Sequence, residues 1–462
     1  MLKLILVLIA LPLFSGTSLA DGDRRGPSTH FDGAVSGAPW SGADPDPFEH
    51  PRVFNRELRP LITAIDYHTR MIYIFNYKTD DLAIVDPLSL PDWPGDVPLQ
   101  HTVLSPDGKT LYVTTDNTAV HPAYLVVLRV KKIHWRKNRA RLDVRDVAAF
   151  DEPNTPAELP FVEAVNDVQP IAPWLLAGGT QIHGPTMLPY TDFIYFTTWT
   201  SDKVRVWDSN SERFARVDPI QISGYTEQTH GITFNKSGSI GLGTGYFFDN
   251  NVIDRYKVNR RNGKLRPSGK IMLGDEESYA AFSHYVYWLD ERYAVTATMQ
   301  FDKTSLTPAE TDSIIPPSGW LIDAWEGTAT QILSATDKPD GEGIFRSASD
   351  IAVVGNKLYI AEEDTIDPIL GDDGYISVFD ISDQYRPQFL KRFKPGEGGL
   401  PAGFTVAHSL TPTPDHRYLF VASWHSGYVI KIDTLNDTVV KVFGPEDGLV
   451  MPHGFYAAGN SR

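Results

Sequence analysis

Seven short segments of the chain share one pattern. A His, or once an Asp, opens an apolar run; a turn follows; a second β-rich run ends in a polar or aromatic residue. The openers are His101, His183, His230, His284, Asp350, His408 and His453. They lie 82, 47, 54, 66, 58 and 45 residues apart. If these runs are the innermost strands of one ring of sheets, their first side chains converge on a common axis. Imidazoles gathered there repel one another once protonated, and a metal ion removes that conflict. The bland alternative is a His that packs at a blade entrance and bonds backbone. Such histidines go with a Trp-Asp dipeptide, which occurs here only at Trp207-Asp208.

The elements that must position these residues are strands. Repeats of this period, with strand signals throughout and no sustained helical periodicity, predict an all-β fold, a β-propeller whose inner strands line a central channel. Seven blades is the reading adopted and eight the alternative. The final segment, HGFYAAGN from His453, is too short for a blade. It is expected to complete one begun by N-terminal strands and so to remove exposed edges. In such a fold the loop into strand one and the loop after strand two share a face. That rule places Lys78, Asp116, Trp199, Phe247 to Asp249, Gln300, Glu362 with Glu363, and Trp424 with His425 beside the openers. Lys78 enters this set because LITAIDY, residues 61–67, is counted as a first strand and MIYIFNY as a second.

Residues 1–20 have the form of a secretory signal: Lys3, an apolar stretch from Leu4 to Phe14, and Ser18-Leu19-Ala20 as a small-residue cleavage site. Residues 21–58 read as an irregular Gly/Pro/Ser/Asp arm and 59–462 as the propeller. The expected location is periplasmic or secreted. The apolar stretch falls short of the ~20 residues of a bilayer span, and no membrane association is expected. The chain contains no cysteine, which excludes disulfides, thiolate metal sites and covalent haem attachment. Its formal charge of −16 argues against nucleic acid and suits a cationic partner, such as an electron carrier. The basic run at 131–141 and His134 within it read as a solvated outer strand.

Without thiolate, a His-rich donor set suits copper, zinc, nickel or iron. A single zinc rarely takes more than four ligands. Six histidines with Asp249 have the capacity for two or three ions. A His-only multinuclear centre in an exported chain points to copper and redox chemistry.

At these residues the chain resembles the copper propeller enzymes of the thiocyanate dehydrogenase type, and in style the nitrous oxide reductase propeller. Selenium-binding methanethiol oxidases are similar too, but their cysteine motifs are missing. The resemblance implies a seven-bladed periplasmic oxidoreductase with a three-copper centre, acting on a small sulfur or nitrogen anion such as thiocyanate and passing electrons to a carrier such as a cytochrome c. It implies that His101 and His453 share one copper, that His183, Asp249 and His284 hold a second, and that His408 belongs to the third. His230 is an added candidate. Lys78 matches a lysine kept beside the cluster, and Glu227 or Glu276 the acid/base carboxylate. Where the family has a further His, between those of His284 and His408, this chain has Asp350. Two other readings remain: a propeller hydrolase or lactonase with one metal, whose centre would be rich in carboxylate, and a secreted propeller that only binds a partner.

Overall fold

The computed structural model describes residues 59–116, 121–150, 182–198, 203–221, 229–245, 251–274, 283–299, 301–302, 314–315, 317–334, 348–362 and 374–457. All lie in one compact unit, Asp46–Arg462. The expected leader (1–20) and arm (21–58) fall outside the described residues. Among the described residues, regular structure is β-strand with short 3-10 turns at Pro87–Ser89, Trp135–Lys137 and Pro445–Asp447. Among the described residues no helix is long and apolar enough to cross a membrane.

The strands form a β-propeller. Five sheets stand as separate blades, each an antiparallel meander; their first strands are Ile182–Met187, Thr229–Phe234, Ser283–Trp288, Ala348–Val354 and Ala407–Pro412. A two-stranded ribbon pairs Phe301–Asp302 with Ile314–Ile315, and the remaining sheet has eight strands. It runs from Pro452–Ala457 through Leu61–Asp66, Ile72–Asn76 and Asp81–Val85 to Arg139–Ala149, Tyr124–His134, Thr110–Thr115 and Leu99–Leu104. Seven separate blades were the expectation; hydrogen bonding separates five. The cause is local. The 11-residue strand Arg139–Ala149 reaches the edge of Asp81–Val85 and makes one parallel pair, Ile84 with Arg139. On either side of that pair the sheet is an ordinary four-stranded meander.

The C-terminal strand closes the molecule. Pro452–Ala457 pairs antiparallel with Leu61–Asp66, so the innermost strand of the N-terminal meander comes from the other end of the chain. An aromatic cluster seals the junction: Phe75 packs on Phe443 at 4.9 Å, Phe420 at 6.0 Å and Phe455 at 6.2 Å. Burying each ring is worth roughly 2–3 kcal/mol. Lys431, itself buried, donates across the same junction to the Tyr77 carbonyl at 2.7 Å and the Asp80 carboxylate at 2.6 Å.

The inner strands share a device that the sequence does not display. Each of the seven pairs with its neighbour through a register shift at or beside the ring position: Leu99/His101, His183/Thr186, Thr229/Gly231, Ser283/Val286, Ala348/Asp350, Ala407/Ser409, and Thr63/Ile65 facing His453. Such bulges re-aim one side chain and leave backbone groups to be satisfied elsewhere. Hydroxyls of the second strands take several of them. Thr114 Oγ1 accepts from the His101 N–H at 3.1 Å. Thr197 donates to the His230 carbonyl at 2.7 Å and Thr244 to the His284 carbonyl at 2.9 Å.

Candidate metal centre

The re-aimed side chains form a closed circuit. Successive ring centroids lie 4.9 Å apart for His101–His183, 4.7 Å for His183–His230 and 3.9 Å for His230–His284. They are 5.5 Å apart for His284–His408, 4.6 Å for His408–His453 and 4.8 Å for His453–His101. All six are buried, none above 7% exposed. Residues spread from 101 to 453 thus become neighbours, which is the convergence the spacing predicts. Beneath them lies a cavity of about 20 Å³, room for about one water, bounded by His101, Gly184, Tyr285, Ser409, Gly454 and Tyr456.

Three of the six imidazoles, those of His183, His230 and His453, are held neutral at pH 7. Burial drives the His183 pKa down to about 3, with the His284 and His408 charges adding to the effect. Burial, then neighbouring histidines, hold His230 and His453 well below the ordinary value. Neutral imidazoles carry the lone pairs that metal ligation requires. Hydrogen bonds settle where some of these lie. His284 Nδ1 bonds the Ser349 carbonyl, which can only accept, so Nδ1 bears the proton and Nε2 the lone pair. His453 Nδ1 lies 3.2 Å from Ser409 Oγ, and its Nε2 is buried with no hydrogen-bond partner. That orphaned nitrogen, in an all-imidazole set, fits a soft or borderline transition metal. Among the described residues no three His, Asp or Glu side chains have donor atoms already converged on one point. Two of the six ring pairs meet edge to face and four are tilted, and ligation requires the rings to turn about their side-chain torsions.

Asp350 holds the seventh place without joining the circuit. Its Oδ2 accepts from the Leu410 N–H at 2.8 Å and Oδ1 from its own neighbour Ile351 at 2.9 Å, so both oxygens brace backbone. The 5.5 Å step from His284 to His408, the widest in the circuit, spans this place. Its neighbour Ser349 contributes instead, since its carbonyl fixes His284 and its hydroxyl donates to Ala407 O at 2.6 Å.

Lys78 is not beside the circuit. His453 sits at the Ile65–Asp66 end of Leu61–Asp66, whereas Ile72–Asn76 ends opposite Leu61. Lys78 follows that far end, exposed in a turn on the opposite face. The expectation is corrected because LITAIDY is a second strand, not a first. Asp249, Glu227 and Glu276 lie outside the described residues, as do Trp199, Phe247 and Phe248. The residue that holds Lys78's intended place is Tyr67, at the end of a true second strand. It stacks on His453 at 4.8 Å and 23°. Trp424, in the same layer, lies against His408 at 4.7 Å.

The metal-free protein is expected to lose stability in acid. His183 binds its proton near pH 3 when folded and near 6.5 when unfolded, so the unfolded chain carries more protons in between. His230 and His453 shift the same way. Asp116, raised from 3.8 to about 8, opposes them over much of that window, since its contribution is lost as pH rises. The three imidazoles together outweigh the one carboxyl, so stability is expected to fall as pH drops below 6.5. Urea midpoints at pH 7.5, 5.5 and 4.5 measure this, and equal midpoints would contradict it.

No family model matches the chain, and no curated protein matches it. Solved structures do. A functionally unknown protein from Desulfotomaculum acetoxidans superposes with a TM-score of 0.54 at 14% identity, over 86% of this chain and 98% of that one. A candidate 6-phosphogluconolactonase from Bacteroides fragilis gives 0.55 at 12%, over 88% and 99%. A hypothetical selenium-binding protein from Sulfolobus tokodaii gives 0.53 at 13%, over 89% and 96%. At these identities the likeness is one of fold alone, and it agrees with the strand order: the chain is a β-propeller.

Proposed function

We propose that this protein is an exported, periplasmic copper oxidoreductase that oxidises a small sulfur or nitrogen anion such as thiocyanate. Two to three coppers would be held by His101, His183, His230, His284, His408 and His453, with Asp249 as a further donor. The observation that carries this is the closed circuit of six buried imidazoles. Burying so many titratable groups costs stability in acid, and ligation gives the arrangement a use.

Bound copper would supply Lewis acidity toward a water and accept electrons from the anion. The chain's own part is to fix the donors. Each imidazole is held by its strand's bulge, His284 through Ser349 and His453 through Ser409 and Tyr67. Trp424 shields His408 from bulk water. Glu227 or Glu276 would take the water's proton. The net charge of −16 suits docking of a cationic one-electron acceptor, such as a cytochrome c. A one-metal hydrolase needs carboxylate oxygens at the centre, and those of Asp350 are bound to backbone.

Reconstitution of metal-free protein with copper, followed by metal analysis, tests the reading. Two to three tightly held coppers per chain and thiocyanate-dependent reduction of ferricytochrome c are expected. Protein that takes up no copper, or loaded protein that reduces no acceptor in the presence of thiocyanate or a related anion, would overturn it.

A further inference from the structure

A buried polar chain runs along the outer side of the imidazole circuit. It starts at Tyr67, whose ring stacks on His453 at 4.8 Å. The Tyr67 hydroxyl donates to Gln100 Oε1 at 2.6 Å. Gln100 Nε2 in turn donates to Asp116 Oδ2. All three residues are buried, at 5%, 1% and 5% exposure. Both bonds point their donors toward Asp116, so the carboxyl is the terminus. Its other oxygen, Oδ1, is buried with no hydrogen-bond partner, a state that native proteins rarely leave without a reason.

The strands place this carboxyl against the circuit. Gln100 immediately precedes His101, and Thr114, two residues before Asp116, pairs with His101. On the other side Ile182, which precedes His183, offers its backbone to the carboxyl. The titratable side chains of the elements around it are therefore His101, His183 and Tyr67, of which burial holds the His183 imidazole neutral at pH 7. Among the described residues no cationic side chain is paired with Asp116, and burial raises its pKa to about 8 against the smaller effects of Gln100 and Ile182.

We propose that Asp116 is a charge-coupled proton site: it gives up its proton when a cation enters the imidazole circuit and recovers one when the circuit loses positive charge. The inference rests on the reading of the circuit as a metal centre. The physics is that of a buried carboxyl beside an opposite charge, whose pKa falls by roughly one to three units. Low local dielectric leaves the interaction little screened. Gln100 and Tyr67 hold Oδ2 fixed in both states, while Oδ1 exchanges the proton with water. No bond other than O–H forms or breaks, and the proton released is balanced by the charge gained. In a redox cycle, each loss of positive charge from the circuit would draw a proton back to Asp116, which ties proton uptake to electron transfer at the same centre.

The test uses Zn(II), which carries the charge without redox chemistry. Metal-free protein at pH 7 in weak buffer is titrated with Zn(II), and bound metal and released protons are counted together. The wild type is expected to release close to one proton per chain more than Asp116→Asn, with the same zinc content. The difference should vanish at pH 9.5, where the carboxyl is already ionised. Equal release by the two proteins at equal zinc content would overturn the proposal and leave the metal centre standing. Failure to bind zinc or copper at all would instead remove the reading beneath it. Infrared spectra of the wild type give a second readout that needs no variant. A protonated carboxyl band should fall as Zn(II) is added, and a band that does not respond would also overturn the proposal.

Discussion

Chains carrying His183→Ala together with His284→Ala are expected to bind at most one copper, against the two to three expected for the wild type on the proposed reading. The two rings occupy separate steps of the circuit, His183 between His101 and His230 and His284 between His230 and His408. Removing both leaves only His408, His453 and His101 as a continuous run. No single ion site built from neighbouring blades on the other side then keeps three donors. Copper content by metal analysis and the Cu(II) spin-resonance signal measure the loss. Retention of two or more coppers would show that ligation lies elsewhere. The metal-free variant is expected to fold and to resist acid better than the parent, because its unfolded state no longer gains the His183 proton in the window from 6.5 to 3. Unfolding at neutral pH would instead mean that these rings serve mainly as packing.

The second large effect is expected at Gly184, the residue after His183. Its backbone lies at φ +50°, and a Cβ there would come within 2.6 Å of the His230 carbonyl oxygen and 2.8 Å of Gly231 Cα. Both are backbone atoms of the next blade's inner strand and cannot swing aside. Gly184→Ala is expected to cost about 3 kcal/mol or more, from strain and overpacking together. It should also weaken copper binding by shifting His183 relative to His230. The control is Gly355→Ala. That glycine has φ +61°, but nothing lies within 4 Å of its added Cβ. It should lose only about 1 kcal/mol and keep its metal. Denaturant midpoints and copper content of the two variants separate these outcomes; equal losses would contradict the close-approach argument.

Much of the site could be read before any fold was known, because strand-opening residues repeat at a period that only a ring of sheets explains. The six histidines meet as that period requires. What escaped the sequence was relational. A bulge is a statement about register between two strands, so the shifts that aim every ring side chain leave no single-residue signal. Lys78 was misplaced because the first strand of its sheet lies nearly 400 residues downstream, at Pro452–Ala457. Counting from the N terminus shifted that sheet by one strand and exchanged its two faces. Tyr67 was hidden by the same shift, although it stands where Asp116 and Trp424 stand in their sheets. The blade count turned on one backbone pair, Ile84 with Arg139, for which no composition rule gives notice. Asp350 was recognised as a departure, but its role in holding the Leu410 and Ile351 amides depends on where the neighbouring strand runs.

The pairing of Pro452–Ala457 with Leu61–Asp66 has a bearing on when the centre can exist. Each donor arrives on a different strand, and the strand carrying His453 also shuts the sheet that the N-terminal part began. During synthesis, a partly made polypeptide therefore has neither a sealed perimeter nor the full set of imidazoles. If the ring takes up ions as proposed, loading has to wait until Pro452–Ala457 has met Leu61–Asp66, and cation capture would then close maturation rather than seed it.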